Sequence, residues 1–336
     1  MPDKSSFGIV VIGRNEGERL RACLSSVSGA GVPVVYVDSG STDGSSALAA
    51  SMGAIVLELD PALEFSAARA RNEGFQRLGD VVPGLSMVQF VDGDCDLVPG
   101  WLERGVAELT ARPELVIVCG RVLERNPDAT IYNRLCALEW QKELGEIAAC
   151  GGIFMARAAA FRAVGGFRAD VVAAEEDELC LRLRRQGGKI ASLDADMARH
   201  DADMKHFSQW WRRARRAGHA YAQGAALHGS SEDRHFVRDC RRIWFWGLVL
   251  PLLSLAPIWP TRGISAALLL LYPIQVLRVT CGGRRRGWSG RDARLNAFFT
   301  VLAKFPGLAG LMSYHLRRWR GKPVTLIEHK QAGTPV

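Results

Sequence analysis

The sequence has no C-x-x-C pair and no Cys/His spacing that closes a zinc site, although it contains 8 cysteines. Cys119, Cys150 and Cys180 lie in apolar settings, which points to reduced core residues of a cytosolic protein. Also missing are the G-x-G-x-x-G of a dinucleotide fold and the G-x-x-x-x-G-K-[ST] of a phosphate-cradling loop, so neither site is signalled. There is no internal repeat and no low-complexity segment. The opening MPDKSSFG has no apolar signal core, so secretion is not expected. An acidic excess is absent too: 43 Lys and Arg against 35 Asp and Glu leave a net charge of +8. The arginines gather in the C-terminal half, in RLRRQ, RRARR, RDCRR and RRR. That balance suits an anionic partner: nucleic acid, a membrane surface or a phosphorylated substrate. Nucleic acid is disfavoured, because the arginines are interleaved with long apolar runs.

The 336 residues are 48% hydrophobic and 23% charged, enough for one large folded domain with an appendage or for two domains. Buried-strand patterns fall at 7–12, 34–37 and 54–57, with helical spacing at 16–27, 45–52 and 65–77 between and after them. Residues 86–96, SMVQFVDGDCD, form the fourth strand. This β-α-β-α-β-α-β order implies a mostly parallel sheet covered on both faces. Functional loops in such sheets gather at the carboxyl ends of the strands, so GRNEG, DSGSTDG and DGDCD converge on one crevice. Beyond it, helices are expected at 101–110, 157–164, 175–186 and 209–223, and strands at 115–119, 148–155 and 190–193.

The fourth strand ends in three carboxylates at alternate positions, Asp92, Asp94 and Asp96. Carboxylates held close repel unless a cation sits among them, and oxygen ligands of this kind suit Mg²⁺ or Mn²⁺. A solvated acidic turn is the plain alternative. A calcium loop fails on detail: Leu97 stands where the loop needs Gly, Pro99 lies inside it, and a strand leads in. Asp94 is the candidate to bridge a diphosphate through a metal, and Asp96 is expected to cap the turn toward Pro99 and Trp101.

The crevice also offers Arg14, Glu16, Asp38, Asp43, Arg69 and Arg71. Asp38, at a strand end, is the candidate for a nucleobase. Asp43 serves equally as a ligand or as the cap of the helix starting at Ser45. Arg71 and Asn72 are placed to reach a phosphate or ribose, whereas Arg69 fits a solvated helix face as well as the crevice. A second acidic run, Glu175-Glu176-Asp177-Glu178, opens an amphipathic helix. Acids in a first turn suit the helix dipole. Four in a row exceed that need, and their repulsion raises at least one pKa, as a general base requires.

These pieces together resemble the family 2 glycosyltransferases of the GT-A fold. The resemblance covers about residues 7–223 and rests on GRNEG, DSGSTDGS, ARNEG, DGD, GGIFMARAAAFRAVGGF and EEDELCLRLRRQG, in that order. It implies an α/β fold with a mostly parallel twisted sheet flanked by helices, within a domain over 1–225. A Rossmann-like nucleotide half covers about 7–120 and an acceptor half about 121–225. It further implies an inverting transferase that uses a nucleoside-diphosphate sugar and Mg²⁺ or Mn²⁺. By position, Arg14, Asn15, Glu16, Asp38, Asp43, Arg71, Asn72 and Asp92 fall on the donor, with Asp38 toward the base, Asp92 toward the ribose, and Arg71 and Asn72 toward the diphosphate. Asp94 falls on the metal, with Asp92 and His200 as further contacts, and Gly151 and Gly152 on the acceptor. Family members commonly read Glu-Asp, a spacer, an acid, then Leu-x-x-Arg-Leu. Setting Leu179, Arg182 and Leu183 on that pattern leaves the base open between Glu176 and Asp177, with Glu175 beside them. The Gln209–Arg213 run is similar to the Gln-x-x-Arg-Trp of processive synthases, but the Trp is absent, so single-sugar transfer is expected. Trp210 and Trp211 suit stacking on an acceptor sugar and membrane-interface packing equally.

The character changes near residue 243. Residues 243–260 are 18 without a charge, and 263–277 are another 15. A spanning helix needs about 20. A hairpin of two short spans or two re-entrant segments fits, within a membrane-associated region over 240–336. Arginines flank the pair on both sides, which keeps both flanks cytoplasmic by the positive-inside rule. The tail at 298–319 has the apolar face and basic end of an interfacial helix. The expected setting is the cytoplasmic face of the plasma membrane, with a saccharide or lipid-linked acceptor in envelope or exopolysaccharide assembly. Two rival readings are a non-catalytic membrane-associated binding protein on the same fold and a nucleotidyltransferase, which also pairs acids with Mg²⁺.

Overall fold

The computed structural model describes residues 6–141 and 143–321. The expectations placed on 1–5 and 322–336 lie outside the described residues. The chain forms two compact units, one of residues up to 126 with 139–202, the other of 127–138 with 203 onward.

The first unit begins with β1 (Phe7–Gly13), whose first six residues are all buried. It continues through α1 (Glu18–Ser28), β2 (Val34–Asp38), α2 (Ser45–Ser51), β3 (Ile55–Glu58), α3 (Ala67–Val81) and β4 (Met87–Asp92). These four strands lie in the order β3-β2-β1-β4 and pair in parallel. Parallel strands with helical crossovers bury both faces, which is why they read as continuous apolar runs. Register decides where their ends fall. Gly13 pairs with Asp38, and Ile12 pairs with Asp92, so the acids close β2 and β4 at one level of the sheet. Beneath β4, Phe75, Phe90, Phe154, Phe161 and Phe167 form an aromatic cluster with centroids 4.6–6.5 Å apart. Burying each such ring contributes about 1.5–3 kcal/mol.

The chain then turns into β5 (Cys95–Leu97), α4 (Trp101–Ala111) and β6 (Leu115–Glu124), and leaves this unit for α5 (Ile131–Glu139). It returns through β7 (Gly145–Glu146), β8 (Phe154–Arg157), α6 (Ala158–Ala163), α7 (Glu175–Arg185) and β9 (Lys189–His200). These strands extend the sheet as β4-β8-β6-β9-β5, and β8 runs antiparallel to β4 and β6.

Three elements differ from the expected pattern. The strand expected over 148–155 is a loop up to Ile153, and only β8 enters the sheet. The strand expected at 190–193 runs on to His200, because its polar half has a partner. Arg121 of β6 binds Asp194 and, at 2.7 Å, Asp196, while Met197 and Ala198 point inward. Asp96 does not cap a turn. It sits in β5 and pairs with Arg125 and Arg199, and Gly100 takes the N-cap of α4.

The second unit contains α5 up to Leu138, then α8 (Phe207–His228), α9 (Val237–Trp244), a π-helical turn (Phe245–Val249), α10 (Leu250–Leu255), a 3₁₀ stretch (Ile264–Leu270), α11 (Leu271–Arg285), α12 (Gly290–Leu302) and α13 (Lys304–Trp319). The break expected between 225 and 240 falls instead at 202/203. The reason is small residues. A Cβ at Gly218 would lie 2.0 Å from the Gly307 carbonyl oxygen, and one at Gly310 would lie 1.9 Å from that of Arg215. Helices α8 and α13 therefore meet backbone to backbone, and α8 folds with the C-terminal helices. Arg134 of α5 binds Asp292 of α12 through both carboxylate oxygens, at 2.8 and 2.6 Å.

The apolar stretches are also redistributed. Among the described residues two helices are long and apolar enough to cross a membrane, Ile264–Arg285 and Gly290–Trp319. The expected run at 243–260 is not one of them, because α10 ends at Leu255 and a turn containing Pro257 and Pro260 follows. Only 6% of the apolar window of Ile264–Arg285 is buried, against 39% for Gly290–Trp319. The first stands out from the protein. The second is packed on it, with Phe299 against Tyr132 and Trp210.

Candidate active site

The crevice is built at the carboxyl ends of β1, β2 and β4. Asn15, in the left-handed conformation at φ 53°, donates its backbone N–H to Ser41 Oγ at 2.9 Å and accepts from the Thr42 amide on its side-chain oxygen at 2.7 Å. It thereby ties the loop after β1 to the loop after β2. Asp43 accepts from Ser45 N (3.1 Å), Ser45 Oγ (2.6 Å) and Gly17 N (3.0 Å). Burial works to raise its pKa, but these hydrogen bonds outweigh it and hold the carboxyl below its usual range. Gly44 takes the N-cap of α2, and Asp43 one residue earlier closes a turn onto Ser45. Asp38 is buried and accepts from Tyr36 Oη at 3.0 Å and from Ser41 N at 2.7 Å. Burial and the neighbouring Asp38 push the Tyr36 phenol far up, so it remains a donor. Glu16 pairs with Arg19 at 2.9 Å, and Arg14 lies 5.6 Å over the Phe65 ring. Arg69 is committed elsewhere: it holds Glu73 and the carbonyls of Asp60 and Leu63.

Arg71 is the hub. It is buried beside Phe167, 5.5 Å from that ring. Its guanidinium reaches Asp92 at 2.8 Å and both Glu175 and Glu176 at 3.1 Å. Burial opposes its charge, yet Asp92, Glu176 and Glu175 together keep it protonated. In this structure Arg71 builds an ion cluster that joins β4 to α7. Three carboxylates face one cation, so full ionisation leaves a net charge of −2. The cluster responds at Glu176: burial first, then repulsion from Glu175, raise its pKa to about 7 against the pull of Arg71.

Two further motif residues hold this arrangement in place. Asn72 donates to the Phe167 carbonyl at 2.8 Å and accepts from the Phe167 amide at 2.9 Å. Its amide holds the segment leading to α7. Glu178 is buried against Arg182, which also binds the carbonyls of Val164 and Gly166. The residue before α7, Ala174, has φ 56°, an uncommon conformation for a side chain with a Cβ. Gly152 lies against the cluster: a Cβ there would sit 2.7 Å from Arg71 Nη2 and from Asp92 Oδ2, and 3.3 Å from Glu176 Oε1. Close approach, not ladder pairing, is the use of this glycine. Gly151 precedes it in the same loop.

Asp94 and His200 meet at the β5 edge. Cys95 pairs with His200 across antiparallel strands, and Asp94 Oδ2 lies 3.5 Å from His200 Nε2. Asp94 is 6% exposed. A buried carboxylate oxygen and an imidazole nitrogen facing each other suit a divalent cation, and the mixed donors favour Mn²⁺ over Mg²⁺. Asp92, expected to share that ion, is turned to Arg71 here. Trp140 stands edge-on to His200 with centroids 4.4 Å apart, and Glu124 fixes the following loop by accepting from Asn126 N and Ala202 N, both at 3.1 Å. Neither Trp140 nor Cys95 was an expected site residue. Trp140 follows a helix with no motif around it, whereas Cys95 lies in plain view between two acids.

Trp210 and Trp211 belong to α8 in the second unit. Trp210 is buried among Phe207, Trp211 and Phe299, so its ring is engaged in packing, while Trp211 is half-buried beside Phe207.

Residues 8–163 match the sequence pattern described as Glycosyl transferase family 2. Over 104 residues the chain is 31% identical to glycosyltransferase AglE of Haloferax volcanii, a match covering 29% of this chain and 33% of that protein. It therefore spans about a third of that relative's length. Among solved structures, a mannosyltransferase from Pyrobaculum calidifontis in complex with GDP-Man and Mn²⁺ superposes with a TM-score of 0.57 at 17% identity, covering 94% of this chain and 89% of that one. S. aureus TarS 1-349 superposes with a TM-score of 0.50 at 14% identity, covering 93% and 91%. At these identities the likeness is one of fold, and the fold is GT-A.

Proposed function

We propose that this chain, whose residues 8–163 match the Glycosyl transferase family 2 pattern, transfers a single sugar from a nucleoside-diphosphate sugar to an acceptor hydroxyl, with inversion and with a divalent cation. One observation carries the reading. A carboxyl with its pKa near 7, Glu176, is joined through Arg71 to the strand that ends in Asp92 and leads to Asp94. That pairing supplies a base and a cation site within one crevice.

In this mechanism Glu176 takes the proton from the acceptor hydroxyl. The oxygen attacks the anomeric carbon in line, the new C–O bond forms, and the bond to the diphosphate breaks with its electron pair leaving on the phosphate oxygen. Asp94 and His200 would hold the cation, which when bound neutralises charge on the departing diphosphate. Arg71, tied to three carboxylates, keeps the base and Asp92 in position. We assign the base to Glu176 over Asp177 because Glu176 shares the Arg71 cluster. The solved relative holding GDP-Man and Mn²⁺ supports the donor class and the ion.

The membrane reading rests on the second unit. Helix segments Val237–Leu255 and Ile264–Arg285 form a hairpin, with Ser265 Oγ donating to the Ser254 carbonyl at 2.8 Å and Tyr272 Oη to that of Trp246 at 2.5 Å. Leu252, Leu253, Trp259, Ile264, Leu270, Ile274 and Leu277 are all exposed on it. Arg241, Arg242 and Arg284–Arg286 flank its ends, as expected at an anionic headgroup layer on the cytoplasmic face. Gly290–Trp319 stays with the protein, held by Asp292–Arg134 and the α8–α13 contact.

The test uses purified full-length protein, a panel of nucleoside-diphosphate sugars and Mn²⁺. Donor turnover is expected with one of them, lost in EDTA or in Asp94→Ala, and restored to the wild type by added Mn²⁺. Absence of donor binding and turnover across the panel overturns the transferase reading, and full turnover in EDTA overturns the metal. Flotation with anionic vesicles tests the membrane part.

A further inference from the structure

The residue that follows Asp94 has no part in the mechanism above. Cys95 is 1% exposed, and its Sγ lies 3.3 Å from Asp94 Oδ1. It is the direct cross-strand partner of His200. Residues directly opposed in an antiparallel pair point to the same face, so thiol and imidazole are brought together by the ladder itself. One ligand atom from each of Asp94, Cys95 and His200 lies within 4.8 Å of the others.

We propose that Asp94, Cys95 and His200 form a three-ligand site for a thiophilic divalent ion of the Zn²⁺ class, competing with the catalytic ion for Asp94 and His200. A tetrahedral set with bonds of about 2.0–2.3 Å spaces its ligand atoms about 3.3–3.6 Å apart. Cys95 Sγ lies 3.3 Å from Asp94 Oδ1 and His200 Nε2 lies 3.5 Å from the other oxygen, Asp94 Oδ2, so the carboxylate faces both donors at about that spacing. On ligation the metal–sulfur bond forms as the thiol proton leaves to solvent, and no redox change is involved. Divalent ions of this class bind nitrogen and sulfur donors more tightly than Mn²⁺ does. The two modes differ in what they leave open. Three protein ligands on a tetrahedral ion leave one position, whereas two on an octahedral ion leave up to four for a diphosphate and water. The thiophilic ion therefore inhibits. This inhibitory half rests on the transferase reading, while the binding half does not.

The experiment uses full-length protein carrying Cys240→Ser and Cys281→Ser, which removes the two cysteines that are not buried. Zn²⁺ affinity is measured by competition with a chromophoric chelator, and Mn²⁺ affinity by its quenching of tryptophan fluorescence against a Trp140→Phe control. One Zn²⁺ per chain is expected. Cys95→Ser should weaken Zn²⁺ at least 100-fold and shift Mn²⁺ affinity less than about threefold, and Zn²⁺ should displace Mn²⁺. Independently of any Cys95 variant, Co²⁺ added to the Cys95-containing protein should give a thiolate-to-cobalt charge-transfer band. Unchanged Zn²⁺ affinity in a folded Cys95→Ser protein, absence of that band, or simultaneous binding of Zn²⁺ and Mn²⁺ overturns the site. If Zn²⁺ binds as described but no donor is turned over, the site stands and the transferase reading fails.

Discussion

Replacing Glu176 by Gln should make the protein more stable and inactive, and the stability gain should depend on pH. The folded-state pKa of Glu176 lies near 7, against an ordinary value of 4.5. Between those values the folded chain keeps a proton that the unfolded chain has released. Stability therefore falls as pH rises through this window, by 2.303RT per pH unit and proton. A rise of this size corresponds to roughly 3 kcal/mol once the pH is well above 7. Glutamine has no proton to lose, and its Oε1 can still accept from Arg71, now 3.1 Å from the glutamate oxygen. The cluster charge falls from −2 to −1. Some of the Coulombic support of Arg71 goes with it, so the net gain should be about 1–3 kcal/mol at pH 8.5. For a unit of this size that is about 2–10 °C in Tm. At pH 4, below the ordinary value of 4.5, the folded and unfolded chains both hold the proton, glutamate and glutamine are nearly equivalent, and the gain should shrink below about 0.5 kcal/mol. Thermal unfolding of both proteins at the two pH values, with donor turnover measured alongside, gives all the quantities. Turnover should drop by about 10²–10⁴. An unstabilised variant at pH 8.5, or an equal gain at both pH values, refutes the argument from burial and repulsion. Stabilisation with turnover retained refutes the assignment of the base.

Three other substitutions separate scaffold from site. Asn72→Ala should cost about 1–3 kcal/mol by leaving the Phe167 amide and carbonyl unpaired; steady-state kinetics should show kcat falling with donor KM little changed, the reverse of what a lost diphosphate contact gives. Gly152→Ala forces a Cβ to 2.7 Å from Arg71 Nη2 and Asp92 Oδ2; turnover should fall at least tenfold while far-ultraviolet circular dichroism is retained. Gly310→Ala sets a Cβ 1.9 Å from a backbone oxygen of α8; thermal unfolding should show a loss of more than about 2 kcal/mol in the helical unit, with donor affinity measured separately and unchanged.

Much of the sheet could be read from the sequence because it rests on continuous apolar runs: β1, β2 and β4 are buried on both faces, and their ends carry the motif acids. What could not be read depends on partners distant in sequence. The polar half of β9 reads as a loop until Arg121 is set beside Asp194 and Asp196. β5 is only three residues long and exists because β9 reaches it. The break at 202/203 depends on Gly218 and Gly310 letting α8 and α13 touch, and no periodicity within α8 reveals that. The three carboxylates on Arg71 lie up to 105 residues away along the chain, so the ion cluster appears only once α7 is folded against β4.

Motif membership also does not tell a residue that faces a ligand from one that builds the crevice; counting hydrogen bonds does. An Asn side chain has one acceptor and one donor group, and Asn72 commits both to Phe167. Asp43 accepts two bonds from Ser45 in its own turn and a third from Gly17, and Asn15 is bound through its backbone N–H and its side chain to the loop after β2. These residues form the walls. Glu176 is different in kind: it shares a cation with two other carboxylates, keeps its proton near neutrality, and has a glycine in place of a side chain on its open flank. Such a group is costly for folding and returns nothing to the core, whose stability comes from the phenylalanine cluster below. A carboxyl retained at that cost is where the chemistry is expected.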